Sequence, residues 1–317
     1  MKHDKIEPPK RRKFSDPETT ADGSGRASVA LTKPTTLWFN TGTLCNIACK
    51  NCYIESSPRN DQLAYLSTAE VRKFICQATE RNWPLREIGF TGGEPFLNPD
   101  IIEMLEASLD AGFEVLVLTN AMQPMMRPRV REALARLQQK FSHKLTLRVS
   151  LDHWTPAIHD LERGKGAFRH TLSGLKWLSE TGIRTTVAGR LAYHDTEENA
   201  RAGFANFFDK NGLGINPNDP SELVLFPEMD EQADVPEITT ACWDILGKSP
   251  DQIMCATSRM VVKRRNAEHP VVLACTLIAY DPEFELGTSL ADAERDVFLN
   301  HPHCAKFCVL GGASCSV

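Results

Sequence analysis

From residue 36 to residue 246, short β-branched or aromatic runs alternate with longer stretches of helical period. The strand candidates are residues 37–40, 86–91, 113–119, 144–151, 184–190 and 222–226. The helix candidates that follow them are 68–81, 99–111, 127–141, 167–181, 197–211 and 236–246. Start and stop signals bracket several helices, with Ser67 and Thr68 ahead of Glu70, and Gly112 and Gly182 at two ends. Six successive strand-helix units without a strand meander predict an α/β fold with a parallel sheet, open or barrel-like, and helices outside. After about residue 248 the alternation stops, and the rest is loop-rich with one short strand candidate at 271–274. Residues 1–34 are polar, with the basic run Lys10, Arg11, Arg12 and Lys13, and read as a disordered tail. The domain expectation is therefore a tail at 1–34, a large α/β unit at 35–248 and a small extension at 249–317.

In parallel β/α folds the chemistry gathers beyond the carboxyl ends of the strands. Cys45, Cys49 and Cys52 follow the first strand, and Gly92-Gly93-Glu94-Pro95 follows the second. Asn120 ends the third strand, and Ser150 and Asp152 end the fourth. These groups are expected at one rim.

Composition narrows the class. The chain has 317 residues, 42% hydrophobic and 24% charged, with a formal net charge of −5, which excludes wholesale disorder. No uncharged apolar run is long enough to span a membrane. The polar, basic N-terminus does not resemble a secretory signal, so a reducing cytoplasm is expected. A four-residue basic patch on an acidic protein is read as a solvated tail, so no nucleic-acid role is assigned.

The ten cysteines change the picture most. In a reducing compartment they are not a disulfide framework, and their clustering reads as metal ligation. Cys45, Cys49 and Cys52 have the spacing C-x3-C-x2-C. A structural zinc site requires four closed ligands, and no fourth Cys or His follows nearby. Three thiolates on a [4Fe-4S] cluster leave one iron open to another ligand. Cys76 and Cys242 sit in apolar helical surroundings and are expected in the core. His153, His159, His170 and His194 lack metal-ligand spacing and are expected to be structural or exposed.

C-x3-C-x2-C after the first strand, followed by Gly-Gly-Glu-Pro after the second, resembles the radical S-adenosylmethionine (radical SAM) superfamily. The resemblance covers about residues 36 to 230 and implies a partial (β/α)6 TIM-type barrel. It implies that Cys45, Cys49 and Cys52 hold a catalytic [4Fe-4S] cluster whose open iron is chelated by S-adenosylmethionine. Reductive cleavage of the sulfonium then yields a 5′-deoxyadenosyl radical that abstracts hydrogen from substrate. By the same resemblance Gly92, Gly93 and Glu94 bind the methionine amino group and Ser150 the carboxylate. Asn120 at its strand end, Arg163, whose fork suits a carboxylate, and Arg190, ending the fifth strand, are further cofactor-binding candidates, with a surface salt bridge the alternative for Arg163 and solvent exposure that for Arg190. The family usually has an aromatic residue before its third cysteine, where this chain has Asn51 and places Tyr53 just after.

The stretch Ser150-Leu151-Asp152 followed by His159, Asp160, Arg163 and Phe168 resembles the subgroup with cysteine-rich C-terminal extensions. Cys255, Cys275, Cys304, Cys308 and Cys315 are similar in arrangement to the auxiliary-cluster extensions called SPASM and twitch. Five thiols suffice for one ligated cluster with a spare, or one cluster with an open iron. A second [4Fe-4S] cluster is therefore expected, with a four-cysteine zinc knot as the alternative. The resemblance further implies a reductant such as flavodoxin or ferredoxin, and a small-molecule or peptide substrate. The competing classes are a non-catalytic iron-sulfur carrier and a zinc-stabilised binding module.

Overall fold

The computed structural model describes residues 12–191, 196–227 and 234–311. His194 and Cys315 lie outside these residues, as do Lys10 and Arg11 of the basic run.

The chain opens with β1 (Ser28–Val29), β2 (Thr36–Asn40), α1 (Thr68–Glu80), β3 (Glu87–Thr91) and α2 (Ile101–Asp110). Then come β4 (Glu114–Thr119), α3 (Gln123–Met126), α4 (Pro128–Phe141), β5 (Leu145–Ser150), α5 (Pro156–Arg163) and α6 (Ala167–Thr181). After β6 (Arg184–Arg190), α7 (Glu197–Asn211), β7 (Leu223–Phe226) and α8 (Cys242–Leu246), the chain adds β8 (Ser258–Val262), β9 (Val271–Leu273), β10 (Glu285–Gly287) and β11 (Val297–Phe298).

Local signals explain the regular part. Ser67 caps α1 in a reciprocal capping box with Glu70, and α6 and α7 stop at Gly182 and Gly212 in the left-handed region. Every residue of β2 is buried, as expected for a strand covered on both faces. The six strands β2 to β7 pair in parallel and in sequence order, with helices between them. Register brings their ends level: Asn40 faces Thr91, Thr119 faces Val149, Ser150 faces Ala188 and Arg190 faces Phe226. The loops that leave these ends emerge side by side.

Three features differ from the sequence expectation. Residues 12–34 are not a loose tail: Ala27 and Val29 are fully buried, and β1 pairs antiparallel with β11. Arg26 is buried against Glu237 at 2.6 Å, and Glu237 also accepts the Phe14 and Ala21 N–H groups. This pairing holds 236–241 out of helix, since Ala27 N–H donates to Ile238 C=O, and only Cys242–Leu246 is helical.

The extension is also not a separate body. β8 is buried along its length and pairs in parallel with β2, and β9 and β10 continue the same sheet in antiparallel pairing. The large sheet therefore runs β10-β9-β8-β2-β3-β4-β5-β6-β7. Finally, Cys76 is exposed rather than in the core. It falls off the stripe of Val71, Phe74, Ile75 and Ala78 by which α1 is buried. Cys242 is partly buried against the core.

Candidate cluster and cofactor site

The loop after β2 is docked on the loop after β3 through backbone contacts. Gly93 N–H donates to Gly42 C=O at 2.8 Å and Glu94 N–H to Leu44 C=O at 3.1 Å, directly ahead of Cys45. Gly92 has φ +152°, and a Cβ on Gly93 would lie 2.2 Å from the Leu44 carbonyl oxygen. The glycine pair is thus needed for this close approach.

Glu94 does not use its carboxylate on the cavity side. It is 1% exposed and accepts from Phe96 N–H at 3.2 Å, Thr119 Oγ1 at 2.9 Å and Asn120 N–H at 2.9 Å. It ties the β3 and β4 loop ends together. Burial pushes its carboxyl up to about 7, against the lowering effect of these donors. Asn120 carries the contact onward, its Nδ2 donating to Asn46 Oδ1 at 2.9 Å and standing 3.8 Å from Cys45 Sγ.

On the other side of the cysteine loop lies a charged network. Arg163 donates to Asp152 from Nε at 2.7 Å and from Nη2 at 2.9 Å, and Arg190 Nε lies 3.3 Å from the same carboxylate. Burial by itself raises the Asp152 carboxyl, but the two guanidinium groups outweigh it and hold it at about 2. Arg190 Nη2 donates to Asn51 C=O at 3.0 Å, while its Nη1 is buried without a hydrogen-bond partner. Asn51 Nδ2 donates to Glu162 Oε2 at 2.9 Å and Lys50 N–H to Glu162 C=O at 2.8 Å. Asn51 therefore anchors the loop to α5, a polar role in place of the aromatic residue usual in the resembling family. His159 on the same helix is fully buried, and burial together with Arg163 lowers its imidazole to about 4.

A cavity of about 140 Å³ opens between these two supports. Cys45, Cys49 and Cys52 line it, together with Gly92 and Gly93. Asn120, Ser150, Arg163 and Arg190 line it as well; Glu94 does not. The first two thiols are pushed up by burial, Cys45 to about 12, and Cys49 less so because Arg163 opposes it. Thiols of this kind stay protonated in the metal-free protein and lose the proton to a metal. Three thiols facing one cavity, Cys45 buried and Cys49 and Cys52 partly so, beside two guanidinium groups suit an anionic cluster with one open position.

Sequence reasoning passed over two members of this site. Glu162 carries no motif of its own. Tyr280, whose hydroxyl donates to Ile54 C=O at 2.8 Å, joins the cysteine loop from more than 200 residues away. Only folding brings it there.

A second, smaller cavity of about 20 Å³ lies in the C-terminal part. Cys255, Cys275, Cys304 and Cys308 all line it, amid apolar residues. Burial raises Cys255 to about 12 and pushes Cys304 well up, with neighbouring thiols adding to both, and it raises Cys275 against the Leu277 and Ile278 N–H groups and Arg259. Cys304 and Cys308 stand on a π-helical turn, Cys304–Leu310, a form common at functional sites. None of the described cysteines is in a disulfide. Among the described residues, no group of three or more His, Cys, Asp or Glu side chains is arranged to hold a single ion. The thiols ring their cavities without closing on one point, and the ligands of a cluster attach to separate irons.

The Radical SAM superfamily profile matches residues 39–207, more than half of the chain. The chain belongs to the radical SAM superfamily. It is 35% identical over 145 residues to the antilisterial bacteriocin subtilosin biosynthesis protein AlbA of Bacillus subtilis, covering 45% of this chain and 30% of that one. It is 32% identical over 151 residues to the AdoMet-dependent heme synthase of Methanosarcina barkeri, covering 46% and 40%. The aligned part thus spans less than half the length of these relatives. Its fold is similar to that of Streptococcus suis SuiB bound to S-adenosylmethionine, with a TM-score of 0.59 at 14% identity over 81% of this chain and 63% of that one. Among the described residues no helix is long and apolar enough to cross a membrane.

Proposed function

We propose that this protein is a radical SAM enzyme that reductively cleaves S-adenosylmethionine and abstracts hydrogen from a peptide substrate, assisted by a second iron-sulfur cluster. The observation that carries the reading is the single cavity shared by Cys45, Cys49, Cys52, the Gly92-Gly93 backbone, Ser150 and Arg190. It collects three thiols, backbone polar groups, a hydroxyl and a guanidinium at the carboxyl ends of parallel strands, where such folds bind ligands.

Cys45, Cys49 and Cys52 would hold the catalytic [4Fe-4S] cluster. With S-adenosylmethionine bound, that cluster supplies the electron for sulfonium cleavage. The chain's own residues bind and orient. Gly92 and Gly93 let the backbone meet the amino group, and Ser150 offers a hydroxyl to the carboxylate. Arg190 has a buried Nη1 free for a carboxylate, whereas Arg163 already spends its fork on Asp152. Arg163 is thus a positioning residue, and Glu94 braces the loops.

The auxiliary cluster is assigned to Cys255, Cys275, Cys304 and Cys308, because these four share the second cavity. Cys315 is then not required. A reductant such as flavodoxin or ferredoxin and a cytoplasmic location follow from the same reading. The peptide substrate is supported by the likeness to the bacteriocin biosynthesis protein.

The test is anaerobic reconstitution of the full chain, with iron and sulfide assay, followed by S-adenosylmethionine under dithionite. Formation of 5′-deoxyadenosine is expected. A fully loaded protein that forms none sinks the enzymatic reading and leaves the iron-sulfur carrier. Zinc in place of iron and sulfide sinks both in favour of the binding module.

A further inference from the structure

The main cavity has two unlike walls. Beside the charged network, part of the lining is apolar and comes from the last barrel strand and the C-terminal part: Phe226, Phe307 and Leu277. Phe226 ends β7 directly paired with Arg190 of β6, and its ring stacks on Phe307 with centroids 5.3 Å apart and planes at 29°. Phe307 is 2% exposed and Leu277 5%, so their rings and methyls are pinned by packing on the side away from the cavity. Phe226 is only half-buried.

The same residues partition the two cavities. Leu277 lines both, and its N–H donates to Cys275 Sγ at 3.3 Å. Phe307 stands on the π-helical turn between Cys304 and Cys308. Segments that carry three of the second cavity's cysteines therefore shape one wall of the first.

A rigid aromatic and aliphatic wall favours an apolar group and penalises a charged one, which loses its water without gaining a partner. The neighbouring charges do not offset this with S-adenosylmethionine bound, because Arg163 and Arg190 are paired with Asp152 and the remaining Arg190 Nη1 is taken, on the reading above, by the carboxylate of S-adenosylmethionine. We propose that Phe226, Phe307 and Leu277 form the substrate-selecting wall and receive an aromatic or branched aliphatic side chain of the peptide substrate. This rests on the reading of the cavity as a radical SAM centre.

The probes are four N-acetyl-Gly-X-Gly-amide tripeptides, with X as Phe, Leu, Asp or 2-naphthylalanine, titrated calorimetrically into the reconstituted full chain with S-adenosylmethionine present. Wild type should bind the Phe and Leu probes at least about tenfold more tightly than the Asp probe, and should reject the naphthyl probe. Phe307→Ala, or Phe226→Ala if the first variant does not fold, should gain the naphthyl probe by about tenfold. A gain of this kind cannot come from misfolding. Equal affinity for Leu, Phe and Asp, no binding of any probe, or an unchanged preference in both variants overturns the proposal. Wild-type protein that makes 5′-deoxyadenosine but shows no apolar preference refutes the wall alone, whereas protein that makes none refutes the underlying reading.

Discussion

Arg163 grips both carboxylate oxygens of Asp152 in a buried fork, 11 residues apart in sequence and directly behind the cysteine loop. The pair links the end of β5 to the end of α5, and Arg190 extends it to the backbone of Asn51. The position of Cys49 and Cys52 is therefore coupled to a charge network that itself faces the cavity.

Asp152→Asn keeps the shape but leaves two buried guanidinium groups without a counter-ion. Removing one partner of a buried pair costs about 3–5 kcal/mol, so a clear fall in melting temperature is expected. Arg163→Lys should lower it as well, since an ammonium group cannot supply the fork. A melting temperature unchanged in Asp152→Asn would show that the pair carries no stability.

The two groups of cysteines should separate in a metal assay. Cys49→Ala and Cys304→Ala should each lower iron by about half, but only Cys49→Ala should abolish 5′-deoxyadenosine formation. Cys315→Ala should keep full iron, and so should Cys76→Ser. Cys76, being exposed, should be alkylated rapidly in the folded protein, and resistance to a maleimide would contradict its placement.

Gly93→Ala would press a methyl group against the Leu44 carbonyl, one residue before Cys45. The loop must shift, and iron at the catalytic site should fall several-fold with secondary structure intact. Gly214→Ala is the control, because nothing lies within 4 Å of a Cβ there. Equal iron content in the two variants would refute the docking argument.

His159 sets a pH dependence. Its folded value of about 4 lies below the ordinary 6.5, so between these limits the unfolded chain binds a proton that the folded chain does not. Its contribution is whole above about pH 6.5 and is lost as pH falls toward 4. Arg163, Asp152, Asp160 and His153 all act on it. Glu94, raised to about 7, works oppositely, since its stabilisation is present at low pH and is lost as pH rises through 7. Urea unfolding of wild type and His159→Phe at pH 7 and pH 5 isolates the histidine: the variant should lose less stability on acidification.

Much of the fold is legible because its signals are local. The period of α1, the Ser67–Glu70 box and the Gly182 and Gly212 stops act within a few residues. The strand bounds at β2 to β7 follow from β-branched runs for the same reason. β8 was not legible, since Ser258–Val262 follows no strand-helix alternation and becomes a strand only by pairing with β2, more than 200 residues earlier. Residues 26–29 misled in the opposite sense: a polar neighbourhood hid a buried segment whose partners lie at 237–239 and 297–298.

The sequence by itself determined the family, the six parallel strands with the helices after the first five, and the rim where the candidate site gathers, because cysteine spacing, a glycine pair and periodicity are properties of short stretches. Tertiary structure alone decided that Glu94 turns inward to Thr119 and Asn120, that Arg163 belongs to Asp152, and that Cys255, Cys275, Cys304 and Cys308 face one cavity. It also joined Phe226 to Phe307. The physical reason is common to all four: each depends on where distant segments meet, and a polar or aromatic side chain takes whichever partner folding brings within reach.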